Sequence, residues 1–90
     1  MLRITTLADD GKTIRLKVEG RIVGSLVTEL DSVCRSFQGT KKMVFLDFSD
    51  VSFIDRQGVM VLKKLLGDRV EVLRANRLVQ ALLGIGSKEL

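Results

Sequence analysis

Apolar and polar residues alternate along residues 13–18, with Ile14, Leu16 and Val18 on one parity and Thr13, Arg15 and Lys17 on the other. A period of two gives a strand one apolar face. Residues 2–7 and 12–19 flank the turn-rich cluster Ala8-Asp9-Asp10-Gly11, which predicts a hairpin. After Gly20 to Gly24 the period lengthens: Leu26, Leu30, Val33, Cys34 and Phe37 fall three or four apart, the stripe of a helix packed on the sheet. Ser25 stands where an N-cap is expected and Gly39 near the end. Met43-Val44-Phe45-Leu46 is apolar at both parities, the pattern of a central strand covered on both faces, and Asp47 is expected to close it. A turn and a second helix follow, its core stripe formed by Val59, Leu62, Leu65 and Leu66 before Gly67. Val70, Val72 and Leu73 predict a short strand. Asn76 can cap a last helix carrying Leu78, Val79, Leu82 and Leu83, terminated by Gly84 and Gly86.

The predicted order is ββαβαβα, an α/β class. Alternating strands and helices imply right-handed crossovers and a mixed sheet, parallel in its later strands, with the N-terminal hairpin as an antiparallel pair and helices packed on it. No repeat, linker, low-complexity tract or proline interrupts residues 1–90, so one domain is expected. A chain of this length buries roughly 60 to 65% of its unfolded surface, enough for one modest core. With 46% hydrophobic and 29% charged residues the composition is that of a globular domain that folds unaided. No apolar run approaches the ~20 residues of a membrane-spanning helix, and Met1-Leu2-Arg3-Ile4 lacks the features of a signal peptide; a cytoplasmic location is expected. Cys34 is the lone cysteine, read as a small buried hydrophobe suited to a reducing compartment.

Charge and chemistry narrow the function. The net charge of +4 comes from scattered Lys and Arg, a mild pull toward an anionic partner. With no His, one Cys in a helix core and no nucleophile, base and orienting acid at recognisable spacing, an enzyme is not expected. Neither a metal nor a cofactor is expected. Gly84-Ile85-Gly86 follows a helix instead of opening one after a strand, so it signals a C-cap and not a phosphate loop. Nucleic-acid binding would rest on Arg3, Arg15 and Lys17 on the polar hairpin face, with Arg21 nearby. Phe37, Phe45, Phe48 and Phe53 all lie in or beside core segments and there is no Tyr or Trp, so a stacking platform is missing and a solvated face is expected.

The block "VFLDFSDVSFIDRQG" followed by "VMVLKKLL" resembles the central motif of the STAS domain family, the bacterial anti-sigma factor antagonists. "VEGRIVGSLVTEL" is similar to that family's second strand, loop and first helix, and "VEVLRANRLVQALLGIG" to its last strand and helix. The resemblance covers nearly the whole chain. It implies a STAS-like domain over residues 1–90 that acts by binding another protein. In that family the turn usually carries a hydroxyl residue just before the glycine, phosphorylated by a partner kinase that is also the anti-sigma factor. Here that position is Gln57, whose carboxamide can neither accept a phosphoryl group nor imitate its charge. The preceding position is Arg56, and the acidic residue common in the loop after the second strand aligns with Val23. Ser49 and Ser52 are the nearest hydroxyls, read as turn or strand residues.

Asp55 matches the family motif and is first an N-cap, accepting the amide of Gln57 or Gly58. Gly58 is read as geometry, a residue whose missing Cβ lets the helix start approach a neighbouring loop. Arg56 faces the positive end of the helix dipole, unfavourable by roughly 0.3 to 1 kcal/mol unless water and salt screen it. Either it is solvated or it meets an anion on a partner. By helical spacing Arg56, Gln57, Met60, Lys63 and Lys64 lie opposite Val59, Leu62 and Leu66, which leaves Met60 as an interface anchor or a core-edge residue. The expected partner-binding set is Asp55, Arg56, Gln57, Gly58, Met60, Lys63, Lys64, Val23 and Gly24. The resemblance implies as partner an anti-sigma factor kinase or, in a second use of the fold, the ATPase of a membrane lipid transporter. A homodimer through exposed strand edges is a further possibility.

Overall fold

A computed structural model describes residues 2–67 and 69–84, the side chain of Gln38 excepted. Alternation in the hairpin becomes two strands, β1 (Leu2–Asp9) and β2 (Thr13–Ile22). Their turn is fastened by Asp10, whose carboxylate accepts the amides of Lys12 at 2.9 Å and Thr13 at 2.8 Å, while Gly11 takes φ 90. A 3-10 turn at Gly24–Leu26 leads into α1 (Val27–Gln38). Then come β3 (Met43–Ile54), α2 (Arg56–Leu65), β4 (Val70–Ala75) and α3 (Arg77–Leu83). The order is the predicted ββαβαβα.

The four strands lie in the order β1-β2-β3-β4, antiparallel in the hairpin and parallel between β2 and β3 and between β3 and β4. Crossovers of one hand that step across a sheet in one direction put their helices on one face. Accordingly α1 packs on α2 and α2 on α3. The core lies between: Ile14, Leu16, Val18, Val44, Leu46 and Val70 from the sheet against Val27, Leu30, Leu62, Leu65, Val79 and Leu83 from the helices. Cys34 is fully buried there, and burial pushes its thiol up to about 11. It is inert as a nucleophile at neutral pH.

Three expectations are corrected. The first is that β3 is covered on both faces. Val44 and Leu46 are buried, but Met43 and Phe45 are only half-buried, because all three helices occupy the opposite face and Phe45 shares its own with Arg15 and Glu71.

The second concerns Asp47, which does not close β3. The strand runs on to Ile54 because β2 keeps offering backbone partners: Glu19 to Asp50, Gly20 to Val51, Arg21 to Phe53 and Ile22 to Ile54. Two register shifts within this stretch break the alternation, so it reads as a turn in sequence. Asp47 is 7% exposed; burial pushes its pKa up, but the Ser49 hydroxyl at 2.6 Å and amide at 2.9 Å, with Arg74 and Lys17 nearby, outweigh this and hold it below the usual carboxylate value.

The third is Ser25, which caps nothing with its side chain. The chain enters α1 through the 3-10 turn, where the Leu26 amide donates to the Val23 carbonyl at 2.9 Å, and the Ser25 carbonyl accepts the Thr28 hydroxyl.

At the far side Asn76 does more than cap. Its Oδ1 accepts the Val79 amide at 2.9 Å, and its Nδ2 donates to the carbonyls of Val51 at 2.8 Å and Ser49 at 3.2 Å, beyond the last β3–β4 pair at Phe48 and Ala75. Asn76→Ala is expected to lower unfolding stability by about 1 to 2 kcal/mol, one cap and two hydrogen bonds to the strand end, measured by urea denaturation. A loss within a few tenths would mean that water replaces the side chain. Gly84 ends α3 in the left-handed region at φ 69, as predicted; Gly86 lies outside the described residues.

Candidate functional site

Parallel strands bring their C-terminal ends to one edge of the domain, and there β3 passes into α2 through the single residue Asp55. Its amide donates to the Ile22 carbonyl at 3.1 Å, extending the β2–β3 ladder by one bond. Its backbone is extended, at φ -83 and ψ 178, as an N-cap requires. The two carboxylate oxygens then do different things: Oδ1 accepts the Gly58 amide at 2.7 Å, and Oδ2 accepts the Gly24 amide at 2.9 Å. The N-cap was legible in sequence, with Gly58 the chosen amide. The bond to Gly24 was not, since 31 residues separate the pair. One side chain therefore clamps the first turn of α2 to the loop after β2.

Gly58 completes the clamp by leaving room. A Cβ built on it would stand 2.7 Å from the Ile22 carbonyl oxygen, 2.9 Å from Ile54 Cγ2 and 3.2 Å from Ile22 Cγ2. No side chain fits, so the helix start rests directly on the end of β2.

Around this fixed tip the predicted set separates. Leu62 and Leu65 are buried and Val59 half-buried, whereas Arg56, Gln57, Lys63 and Lys64 are exposed and Met60 is 57% exposed. Of the two readings of Met60, the core-edge one is excluded. Val23 and Gly24 are half-buried beside Asp55. Among the described residues none of Arg56, Lys63 and Lys64 makes an ion pair. The hydroxyls of Ser49 and Ser52 are spent on Asp47 and on the Gly20 carbonyl, both within strand structure.

Phe53 departs from its expected place beside the core. It is 42% exposed on the side of the sheet away from the helices, with the Arg21 guanidinium 5.3 Å from its ring centroid. The register shift just before it is the reason, and no parity argument in sequence reveals one.

The remaining hairpin cations do not form a continuous basic strip. Lys17 pairs with Asp50 at 2.8 Å, Arg3 faces Glu19 across the β1–β2 ladder, and Arg15 neighbours Phe45, which in turn neighbours Glu71. Alternating signs make a solvated face. Among the described residues no group of three metal-ligating side chains occurs, and no helix is long and apolar enough to cross a membrane.

This chain is 16% identical to the anti-sigma factor antagonist SpoIIAA, solved in its unphosphorylated form, with a TM-score of 0.68 over 93% of this chain and 84% of that one. The chain has the SpoIIAA-like fold. A second similar structure is an uncharacterized protein from Shewanella loihica with a SpoIIAA-like fold, 13% identical with a TM-score of 0.59, covering 89% of this chain and 72% of that one. At such identities the likeness concerns the fold. No protein-family model and no curated protein matches the sequence.

Within this fold the clamp is charged, and that gives a pH dependence. The amides of Gly58 and then Gly24 hold the Asp55 carboxyl below its ordinary value of 3.8. Asp9, bonded by Lys42 and Gly11, and Asp10, bonded by the Thr13 and Lys12 amides, are lowered from the same value. A depressed carboxylate contributes stability that is complete above its unfolded pKa and is lost as pH falls through the folded one. Unfolding midpoints in urea are therefore expected to stay flat well above pH 3.8 and to fall below it. The amide signals of Gly24 and Gly58 should titrate together with a midpoint under 3.8. A midpoint above that value would mean that the carboxylate bonds are not maintained in solution.

Proposed function

We propose that this chain is a non-enzymatic STAS-type interaction module, an anti-sigma factor antagonist-like regulator of the bacterial cytoplasm that works by docking on another protein. The observation that carries the reading is the Asp55 clamp: it fixes a helix start from which Arg56, Gln57 and Met60 project into solvent beside Val23 and Gly24. Because the backbone of this tip is fixed before binding, docking costs the side-chain freedom of Arg56 and Met60 but not the ordering of a loop. The fold shared with a protein described as an anti-sigma factor antagonist supports the class of partner. Gln57 stands where the resembling family places its phosphoacceptor, and it has no hydroxyl. Binding is consequently not switched by phosphorylation there. No cofactor takes part.

The test uses the purified chain and an Arg56→Glu/Met60→Glu variant as baits in lysate of the source organism. A sigma-pathway kinase retained only by the wild type is the expected result. Equal retention by both baits would remove docking through the helix tip.

A further inference from the structure

We propose that the docking surface continues around the end of the sheet onto its helix-free face, where Arg21 and Phe53 receive an acidic segment of the partner protein that also carries an apolar side chain. The proposal rests on the docking reading above. Arg21 and Phe53 are cross-strand neighbours on the penultimate rung of the β2–β3 ladder; the last, Ile22 and Ile54, turns into the core. Phe53 is three residues before Arg56, at most about 11 Å along an extended backbone, so the pair borders the helix tip. Phe53 is 42% exposed beside this fixed site, so part of a large aromatic ring stays open to solvent next to the Arg21 guanidinium. A guanidinium stacked on a ring keeps its N–H edges free for carboxylates while the open part of the ring takes an apolar group.

Charge selects the occupant. Arg21, Arg56, Lys63 and Lys64 make no ion pair among the described residues, and the chain carries +4 overall. A second copy docked face to face through the same patch would bring the same cations against them. A nucleic acid would need a run of cations leading away from the tip, but Glu19 lies two residues back along β2 and Lys17 is occupied by Asp50. A carboxylate-bearing protein segment satisfies the cations and the ring together.

The experiment places the photoreactive residue p-benzoylphenylalanine at position 53 in one copy of the 90-residue chain and at position 60 in another. Both are exposed sites that tolerate an aromatic ring. Each is irradiated in lysate of the source organism and the linked segments are identified by mass spectrometry. The expected result is that both positions link to the same protein, that position 53 meets a segment rich in Asp and Glu, and that Arg21→Glu lowers the yield at 53 by about tenfold. If position 60 links to a protein but position 53 does not, or 53 meets a neutral or basic segment, a second copy or a nucleic acid, the extension is overturned while docking at the tip stands. If neither position links to a protein, both fall.

Discussion

Gly58→Ala is expected to destabilise the protein by roughly 2 to 4 kcal/mol, although alanine normally improves a helix by about 1 kcal/mol over glycine. The reversal comes from volume, since Gly58 is not among the residues with positive φ. The added methyl meets the Ile22 carbonyl oxygen at 2.7 Å, and that oxygen is held in place as the acceptor of the Asp55 amide. Ile22 and Ile54, the other neighbours, are buried core residues with little freedom to yield. Relief requires α2 to lift from the end of β2, which stretches the two bonds of the Asp55 carboxylate. Urea denaturation of the variant reads the loss directly. An increase in stability of about 1 kcal/mol would show an unpacked helix start, and the fixed tip would have to be abandoned.

The second large effect is on binding and not on folding. Arg56→Glu/Met60→Glu is expected to weaken partner affinity by about a hundredfold, because it reverses the charge at Arg56 and puts a carboxylate where the proposed docking surface has its apolar anchor. Both side chains are exposed and neither makes a hydrogen bond or ion pair among the described residues. Stability is thus expected to change by no more than about 0.5 kcal/mol, and an acidic residue in the first turn of α2 suits the dipole better than Arg56 does. Titration calorimetry with the captured partner, alongside thermal unfolding of the free variant, separates the two quantities. Loss of binding accompanied by a large drop in melting temperature would point to damage of the fold and not of a surface.

Much of this architecture was legible because it follows local rules. The period of two in β2, the helical stripes through Leu30 and Leu62, and the caps Asp55, Asn76 and Gly84 each announce themselves within a few residues. What escaped is what long-range pairing decides. Register shifts in β3 hide a strand behind the look of a turn and turn Phe53 outward. Grouping of the helices on one face exposes part of Phe45, which an unbroken apolar run made look buried. The second acceptor role of Asp55 depends on a loop 31 residues away, and a single sequence carries no trace of that contact. At the candidate site the exposed side of α2 could be read from helical spacing, whereas the Arg21 and Phe53 pair needed the sheet itself.

Docking at the start of α2 is tested most directly by mapping amide chemical shifts of the nitrogen-15-labelled full chain as the captured partner is added. The expected result is that the largest changes fall on Val23, Gly24, Arg56, Gln57 and Met60, with those of the hairpin turn at Asp10 and Gly11 unmoved. Changes centred on the edge strands β1 or β4, with the start of α2 silent, would contradict it.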